Sequence, residues 1–133
     1  MASKKILIVD DEPAMIEVLE TRLTGFGYQT CSARDGVEAL EKVKREKPDL
    51  IIMDVMMPRM TGFEALKKIR DNPESHKIPA LVVSDGRMKD YFTNITGVEF
   101  ISKPYDVKEL VNRIEILIGG KGASREKEER KEA

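Results

Sequence analysis

The sequence predicts an α/β fold of the doubly wound type, with a five-stranded parallel sheet and helices on both of its faces. Two observations support this prediction. Short aliphatic runs recur along the chain, and they are continuous rather than alternating, as in strands buried on both faces. Segments with helical spacing separate them, and this alternation indicates parallel strands joined by helical crossovers. The length of 133 residues fits one domain.

The five strand candidates are short and rich in aliphatic residues. Each of them is followed directly by a polar residue, which marks where the buried strand reaches the surface. The candidates are residues 6–9, 28–33, 50–53, 80–83 and 100–101.

The five helix candidates follow from apolar spacing and from residues typical of helix ends. Pro13 suits a first helical turn, Gly25 suits a stop, and Asp35 suits an N-terminal cap. Gly119 and Gly120 end the last candidate. The predicted helices are residues 13–25, a segment from 35 that ends before Pro48, residues 62–70, a short weak candidate at 87–95, and residues 107–118.

The net charge, the cysteine count and the lengths of the apolar runs limit the kinds of function that the chain can have. The net charge of −1 provides no global attraction to nucleic acid or to a membrane. A lone cysteine, Cys31, allows no internal disulfide, which favours a reducing cytoplasm. The first apolar run is too short for a signal peptide or a membrane span. Residues 121–133 are dominated by mixed charges, so we expect a domain over 1–120, then a charged tail or linker with no room for a nucleic-acid-binding domain.

Polar residues follow four of the predicted strands. Asp10 and Asp11 follow the first, Asp54 the third, Ser84 the fourth and Lys103 the fifth. Parallel strands bring these residues to one edge of the sheet. Crowded carboxylates need a counter-cation, and Mg²⁺ prefers such oxygen ligands. A carboxylate nucleophile with a metal, a lysine and a hydroxyl predicts a phosphoryl-transfer site.

The same residues resemble the receiver domain of two-component response regulators. The motifs are ILIVDDEP at residues 6–13, LIIMDVMMP at 50–58, Thr61-Gly62, Ser84 and Lys103-Pro104. They occur in the right order, and the resemblance extends over residues 4–119. It implies a flavodoxin-like fold and a phosphorylation switch that is not a turnover enzyme, because it catalyses only its own phosphorylation and dephosphorylation.

The resemblance implies specific roles at the acidic end of the sheet. Asp54 would accept the phosphoryl group. Mg²⁺ would be held by Asp10, Asp11, Asp54 and the backbone carbonyl of Met56, directly or through water. Lys103 would pair with the phosphoryl group, and its bond to the following proline is expected to be cis.

Further roles concern signal output and the phosphoryl donor. Ser84 would bind a phosphoryl oxygen and shift on activation, while Phe100 occupies the position of the aromatic switch residue. The donor would be a histidine kinase or a histidine phosphotransfer protein, and the downstream partner is a protein that the sequence does not identify. Candidates for the donor-docking surface are Ala14, Met15 and Val18 in the first helix.

Two departures from the family pattern affect these expectations. The interval from Ser84 to Lys103 is shorter than usual by about one helical turn, so the helix at 87–95 should be short or irregular. Asp85 replaces a small residue, and its charge could repel a phosphoryl donor. In addition, the apolar Met56 side chain cannot orient an attacking water, which suggests slow self-dephosphorylation.

Two alternative functions remain open at this point. A receiver-like module could bind a partner without being phosphorylated, which the short interval and Asp85 favour slightly. A phosphatase with an aspartate nucleophile would also use Asp and Mg²⁺, but it needs a second acid two residues after the nucleophile. Met56 stands there after Asp54, and although Glu12 follows Asp10 at that spacing, the next residues do not fit the motif.

Overall fold

The computed structural model describes residues 3–54, 62–84 and 95–119 of the chain. These form one sheet of five parallel strands in the order β2-β1-β3-β4-β5. The strands are β1 Lys5–Val9, β2 Gln29–Ala33, β3 Leu50–Asp54, β4 Ala80–Ser84 and β5 Val98–Ser102. The helices in the described ranges are α1 Pro13–Gly25, α2 Gly36–Glu46, α3 Gly62–Asp71 and α4 Val107–Ile118. The predicted doubly wound α/β fold is confirmed.

Parts of the prediction lie outside the described residues. The helix expected at 87–95 does so except for its last residue, and so does the charged tail at 121–133. Within the described ranges, no helix combines the length and the apolar character that crossing a bilayer would require.

The central strands are buried on both faces, as their continuous aliphatic sequences predict. Successive side chains of a strand point to opposite faces of the sheet. Ile6 and Ile8 therefore join an apolar cluster with residues of α1 and α4. Leu7 and Val9 join a second cluster with residues of α2 and α3. Because two of the described helices cover each face, we look for polar chemistry at the ends of the strands.

The helix ends follow the predicted signals. The Asp35 carboxylate caps α2 by accepting the backbone N–H of Glu38 at 2.8 Å. The Glu38 carboxylate in turn accepts the backbone N–H of Arg34 at 2.7 Å, so two donors at this helix start are satisfied. Gly119 ends α4 with a φ of 58°, in the left-handed region that favours glycine.

The edge strand β5 is longer than predicted, and Arg70 of α3 fixes its entry. The sequence indicated only residues 100–101, because the preceding Val98 and Glu99 form no aliphatic run. The Arg70 guanidinium donates to the carbonyls of Thr96 at 2.7 Å and Gly97 at 3.1 Å. Gly97 has a φ of 70°, and a Cβ atom there would lie 3.0 Å from Arg70 Nη2. These two hydrogen bonds, which we call the Arg70 clamp, hold the start of β5 beside β4.

Candidate functional site

The strand ends meet as the sequence predicts. Val9 of β1 pairs with Met53 of β3, so the residues that follow them, Asp10 and Asp54, lie next to each other on neighbouring strands. The strand order reverses between β1 and β3, which is where open α/β sheets form their ligand crevice. Asp10 and Asp54 are 6 % and 7 % exposed. Two carboxylates are thus held side by side in a nearly buried position.

Lys103 forms the main ion pair of the site. Ser84 pairs with Ser102 across β4 and β5, and the backbone N–H of Lys103 then donates to the Ser84 carbonyl at 2.8 Å. The Lys103 ammonium reaches across to Asp54, with Nζ 2.8 Å from Oδ2. This hydrogen bond, together with the charges of Asp54 and Asp10, raises the pKa of Lys103 against the opposing effect of its partial burial. The lysine therefore stays charged beside Asp54.

The surroundings of Asp10 disfavour its ionised form. Its carboxylate accepts the backbone N–H of Glu12 at 2.9 Å. Burial nevertheless raises the pKa of Asp10, and the charges of Asp54 and Asp11 add to this effect, while the Glu12 N–H and the Lys103 charge oppose it. The negative charge here is not fully balanced by Lys103, so the site favours a further cation.

The chemistry of these donors fits Mg²⁺. The three carboxylates of Asp10, Asp11 and Asp54 are hard oxygen ligands, and their charges act on one another. However, the described His, Cys, Asp and Glu side chains include no group of three arranged to hold a metal ion. One oxygen of Asp54 is engaged by Lys103 instead. The backbone carbonyl of Met56, the fourth ligand implied by the resemblance, lies outside the described residues, as does Asp85.

The structure also locates the two predicted switch residues. Ser84 is buried at the end of β4, at the same edge as Asp54. Phe100 is half-buried on β5, pairs with Val82, and packs against the apolar cluster beneath α2 and α3. The Lys103-Pro104 bond is cis, as expected. The switch residues therefore occupy the strand pair that leads to the lysine.

The predicted docking residues border a cleft that sequence reasoning missed. Met15 is half-buried and Val18 is 49 % exposed, and both line a cleft of about 590 Å³ that extends to Asp54. Ala14 is exposed nearby. The Tyr105 hydroxyl donates to Met15 Sδ at 3.9 Å, which links the connection after β5 to α1. The position of Tyr105 directly after Lys103-Pro104 was the one available signal for its place at the site.

Comparisons with known proteins agree with this arrangement. The model of the response regulator receiver domain matches residues 6–115. The Bacillus subtilis alkaline phosphatase synthesis transcriptional regulatory protein PhoP is 36 % identical over 121 residues, which cover 87 % of this chain and 49 % of PhoP. The chain thus spans about half the length of that curated relative.

Solved structures give the same result. The Vibrio cholerae chemotaxis protein CheY4 superposes with a TM-score of 0.82 at 30 % identity, covering 88 % of this chain and 100 % of CheY4. The receiver domain of a Pseudomonas aeruginosa sensor histidine kinase superposes with a TM-score of 0.81 at 26 % identity, covering 89 % of this chain and 99 % of that domain. The latter structure has a magnesium ion coordinated in its active site cleft.

Proposed function

This chain belongs to the family of response regulator receiver domains, and we propose that it accepts a phosphoryl group on Asp54. The observation that supports this most is the contact between Lys103 and Asp54, in which an ammonium lies 2.8 Å from a nearly buried carboxylate. The neighbouring Asp10 adds a negative charge that this lysine does not neutralise. Such a site can bind a phosphoryl group only with cationic help, which is the usual requirement of phosphoryl transfer.

The proposed step is a simple transfer. A carboxylate oxygen of Asp54 attacks phosphorus, and the bond from phosphorus to a histidine nitrogen of the donor breaks. The nitrogen keeps the electron pair of that bond. Lys103 then exchanges part of its contact with Asp54 for a phosphoryl oxygen, and the Ser84 hydroxyl donates to another. Mg²⁺, held by Asp10, Asp11 and Asp54, would supply the remaining positive charge.

The donor is a histidine kinase or a histidine phosphotransfer protein in this proposal, and the exchange takes place in the cytoplasm. The exposed side chains of Ala14 and Val18, with the half-buried Met15, form the proposed docking surface on α1. Because α1 begins just after Asp10, a helix bound there would lie next to the acceptor. The downstream partner would be a protein.

The proposed output depends on two residues of neighbouring strands. A shift of Ser84 toward a bound phosphoryl group would leave space that Phe100 could enter from β5. Phe100 pairs with Val82, which lies two residues before Ser84, so Ser84 and Phe100 are on the same face of the sheet. The chain would act through this change and would turn over no external substrate.

The test is phosphorylation with acetyl phosphate in the presence of Mg²⁺, followed by intact mass. We expect the wild type to gain one phosphoryl group and Asp54→Asn to gain none. Asp49→Asn is the matched control, because Asp49 immediately precedes Leu50, the first residue of the strand that ends at Asp54. The Asp49→Asn protein should gain one phosphoryl group, like the wild type. A folded wild-type protein that stays unmodified would contradict the proposal and would favour a binding module that works without phosphorylation.

A further inference from the structure

Building on the proposed function, we propose that the cleft beside Asp54 binds the acyl chain of a small acyl-phosphate donor. The chain would therefore be phosphorylated faster by acyl phosphates with longer aliphatic chains than by acetyl phosphate. The substrate class is an aliphatic acyl phosphate, with its phosphoryl group at Asp54 and its hydrocarbon part between α1 and the start of α4.

The shape and lining of the cleft support this assignment. It encloses about 590 Å³, much more than an acetyl group needs, and it opens at one end on Asp54 and Lys103. The carboxylates of Asp10 and Glu12 also line it, and the rest of its walls are mostly hydrocarbon. They are formed by Ile8, Met15, Leu19, Ile52, Tyr105 and Val107. A pocket of this kind gains free energy from apolar ligand groups and little from polar ones.

The charges at the Asp54 end of the cleft explain why the hydrocarbon part would matter. A donor phosphate must approach Asp54 and Asp10, and the ammonium of Lys103 already pairs with Asp54. Electrostatic attraction of the phosphate is therefore weak, even when a metal cation balances part of the charge. Contacts of the non-reacting acyl chain can supply binding free energy that is then available to the reaction.

The transfer of the phosphoryl group from the acyl phosphate to Asp54 needs no further reactant. An Asp54 carboxylate oxygen forms a bond to phosphorus, while the bond between phosphorus and the acyl oxygen breaks. The acyl carboxylate leaves with that electron pair and needs no proton, since a carboxylic acid is ionised at neutral pH. The products are phosphorylated Asp54 and a free fatty carboxylate.

The experiment compares acetyl, propionyl and butyryl phosphate in the presence of Mg²⁺. Each rate of Asp54 phosphorylation per donor concentration is measured by intact mass. It is divided by the rate at which the same donor hydrolyses spontaneously at the same pH, a reaction that also breaks the bond between phosphorus and the acyl oxygen, which removes differences in intrinsic reactivity. Burial of each methylene should increase the normalised rate about fourfold, so butyryl phosphate, with two more methylenes, should exceed acetyl phosphate by about fifteenfold.

Two variants test whether the cleft causes this preference. Val18→Trp places a large ring at the mouth of the cleft and should lower the butyryl-to-acetyl ratio toward one. Val37→Trp is the matched control, because Val37 is a similarly exposed helical valine, 43 % exposed, that does not line the cleft. It should keep the wild-type ratio.

Equal normalised rates for all three donors would overturn the inference and would leave a side chain of a protein donor as the occupant of the cleft. If no donor modified Asp54, the proposed function would fail instead. In that case, NMR titration with methylphosphonate and propylphosphonate still decides the question. Tighter binding of propylphosphonate, with shifts at Met15 and Tyr105, would support the cleft as the chain-binding site, and equal binding would overturn it.

Discussion

The two ends of the sheet treat their carboxylates in opposite ways. At the amino end, Lys5 meets two acids: its backbone N–H donates to Asp49 at 2.8 Å, and its ammonium lies 3.0 Å from Glu46. At the carboxyl end, the ammonium of Lys103 pairs with the nearly buried Asp54 and acts on the nearly buried Asp10 only through its charge. At the amino end the described donors satisfy the carboxylates, whereas among the described residues of the carboxyl end the two nearly buried carboxylates exceed the one ammonium beside them. Excess charge of this kind lowers stability, and a fold retains it where function needs it.

The pKa values show the same contrast. The hydrogen bond and charge of Lys5 lower the pKa of Glu46. Burial and the neighbouring acids raise the pKa of Asp10. Two carboxyl groups at the two ends of the sheet are therefore shifted in opposite directions, which allows the two ends to be distinguished experimentally.

The largest expected effect concerns the two lysines. Lys103→Met should lower the rate of phosphorylation by acetyl phosphate by about a hundredfold or more, because a preorganised charge next to the phosphoryl oxygens is lost. Lys5→Met removes a similar ion pair from the other end and should leave this rate unchanged. The rates are measured by intact mass on variants that circular dichroism shows to be folded. Similar losses in both variants would mean that the comparison between the two ends is wrong.

The next effect is on stability. In buffer with a metal chelator, Asp10→Asn should raise the free energy of unfolding by about 1 kcal/mol, because a buried, poorly compensated charge is removed while an acceptor for the Glu12 N–H remains. Asp49→Ala should lower it by about 1 kcal/mol, because the Lys5 N–H loses its acceptor. Urea denaturation measures both, and a destabilised Asp10→Asn protein would contradict the view of Asp10 as an uncompensated charge.

The pH dependence of these effects should have opposite signs. A raised pKa means that ionised Asp10 destabilises the folded state, and this penalty disappears as the pH falls through that raised value. A lowered pKa means that Glu46 stabilises the fold above its unfolded pKa, and this contribution is lost as the pH falls through the lowered value. The stability of the wild type relative to Asp10→Asn should therefore rise on acidification, and relative to Glu46→Gln it should fall.

Urea denaturation in chelator between about pH 6 and pH 3 tests this prediction, since ordinary carboxyl groups titrate in that range. Each variant is compared with the wild type at the same pH, so the titration of all other groups cancels. Parallel trends for the two variants would show that the two ends of the sheet do not differ electrostatically.

The smallest effect is expected for an ion pair that belongs to neither end. Arg113 of α4 lies 2.8 Å from Glu99 of β5, the same distance as between Lys103 and Asp54, but both side chains are more than one third exposed. Arg113→Gln should cost less than about 0.5 kcal/mol in thermal or urea denaturation and should not change phosphorylation. A larger loss would mean that distance alone, rather than burial, decides the importance of these pairs.

Much of the fold could be predicted from the sequence because the central strands are buried on both faces. The continuous aliphatic runs that end at Val9 and Asp54 identify both the strands and the residues at their ends. The edge strand β5 was harder, since Glu99 and Ser102 interrupt its pattern and Gly97 shapes its entry through contacts with another helix. The strand propensity of individual residues reflects local sequence and does not predict such a long-range contact.

The sequence predicted which polar residues meet at the acidic edge of the sheet, but not their geometry. The order of motifs was sufficient to bring Asp10, Asp54 and Lys103 together. The cleft was not predictable, because its volume depends on how α1 and the start of α4 pack on the sheet. The role of Tyr105 as a wall of that cleft, with a contact to Met15, likewise arises only after folding.

The Arg70 clamp has a consequence for how this domain can change over evolution. The backbone carbonyls of Thr96 and Gly97 are fixed to α3, and Gly97 also accepts the N–H of Ala80 at 2.9 Å. The connection that starts after Ser84 therefore has both of its ends anchored independently of its length. Where a flexible segment joins two fixed ends, each doubling of its length costs only about 0.6 kcal/mol. Insertions and deletions there can diversify the partners of descendants of this domain while the sheet and its acidic edge are inherited unchanged.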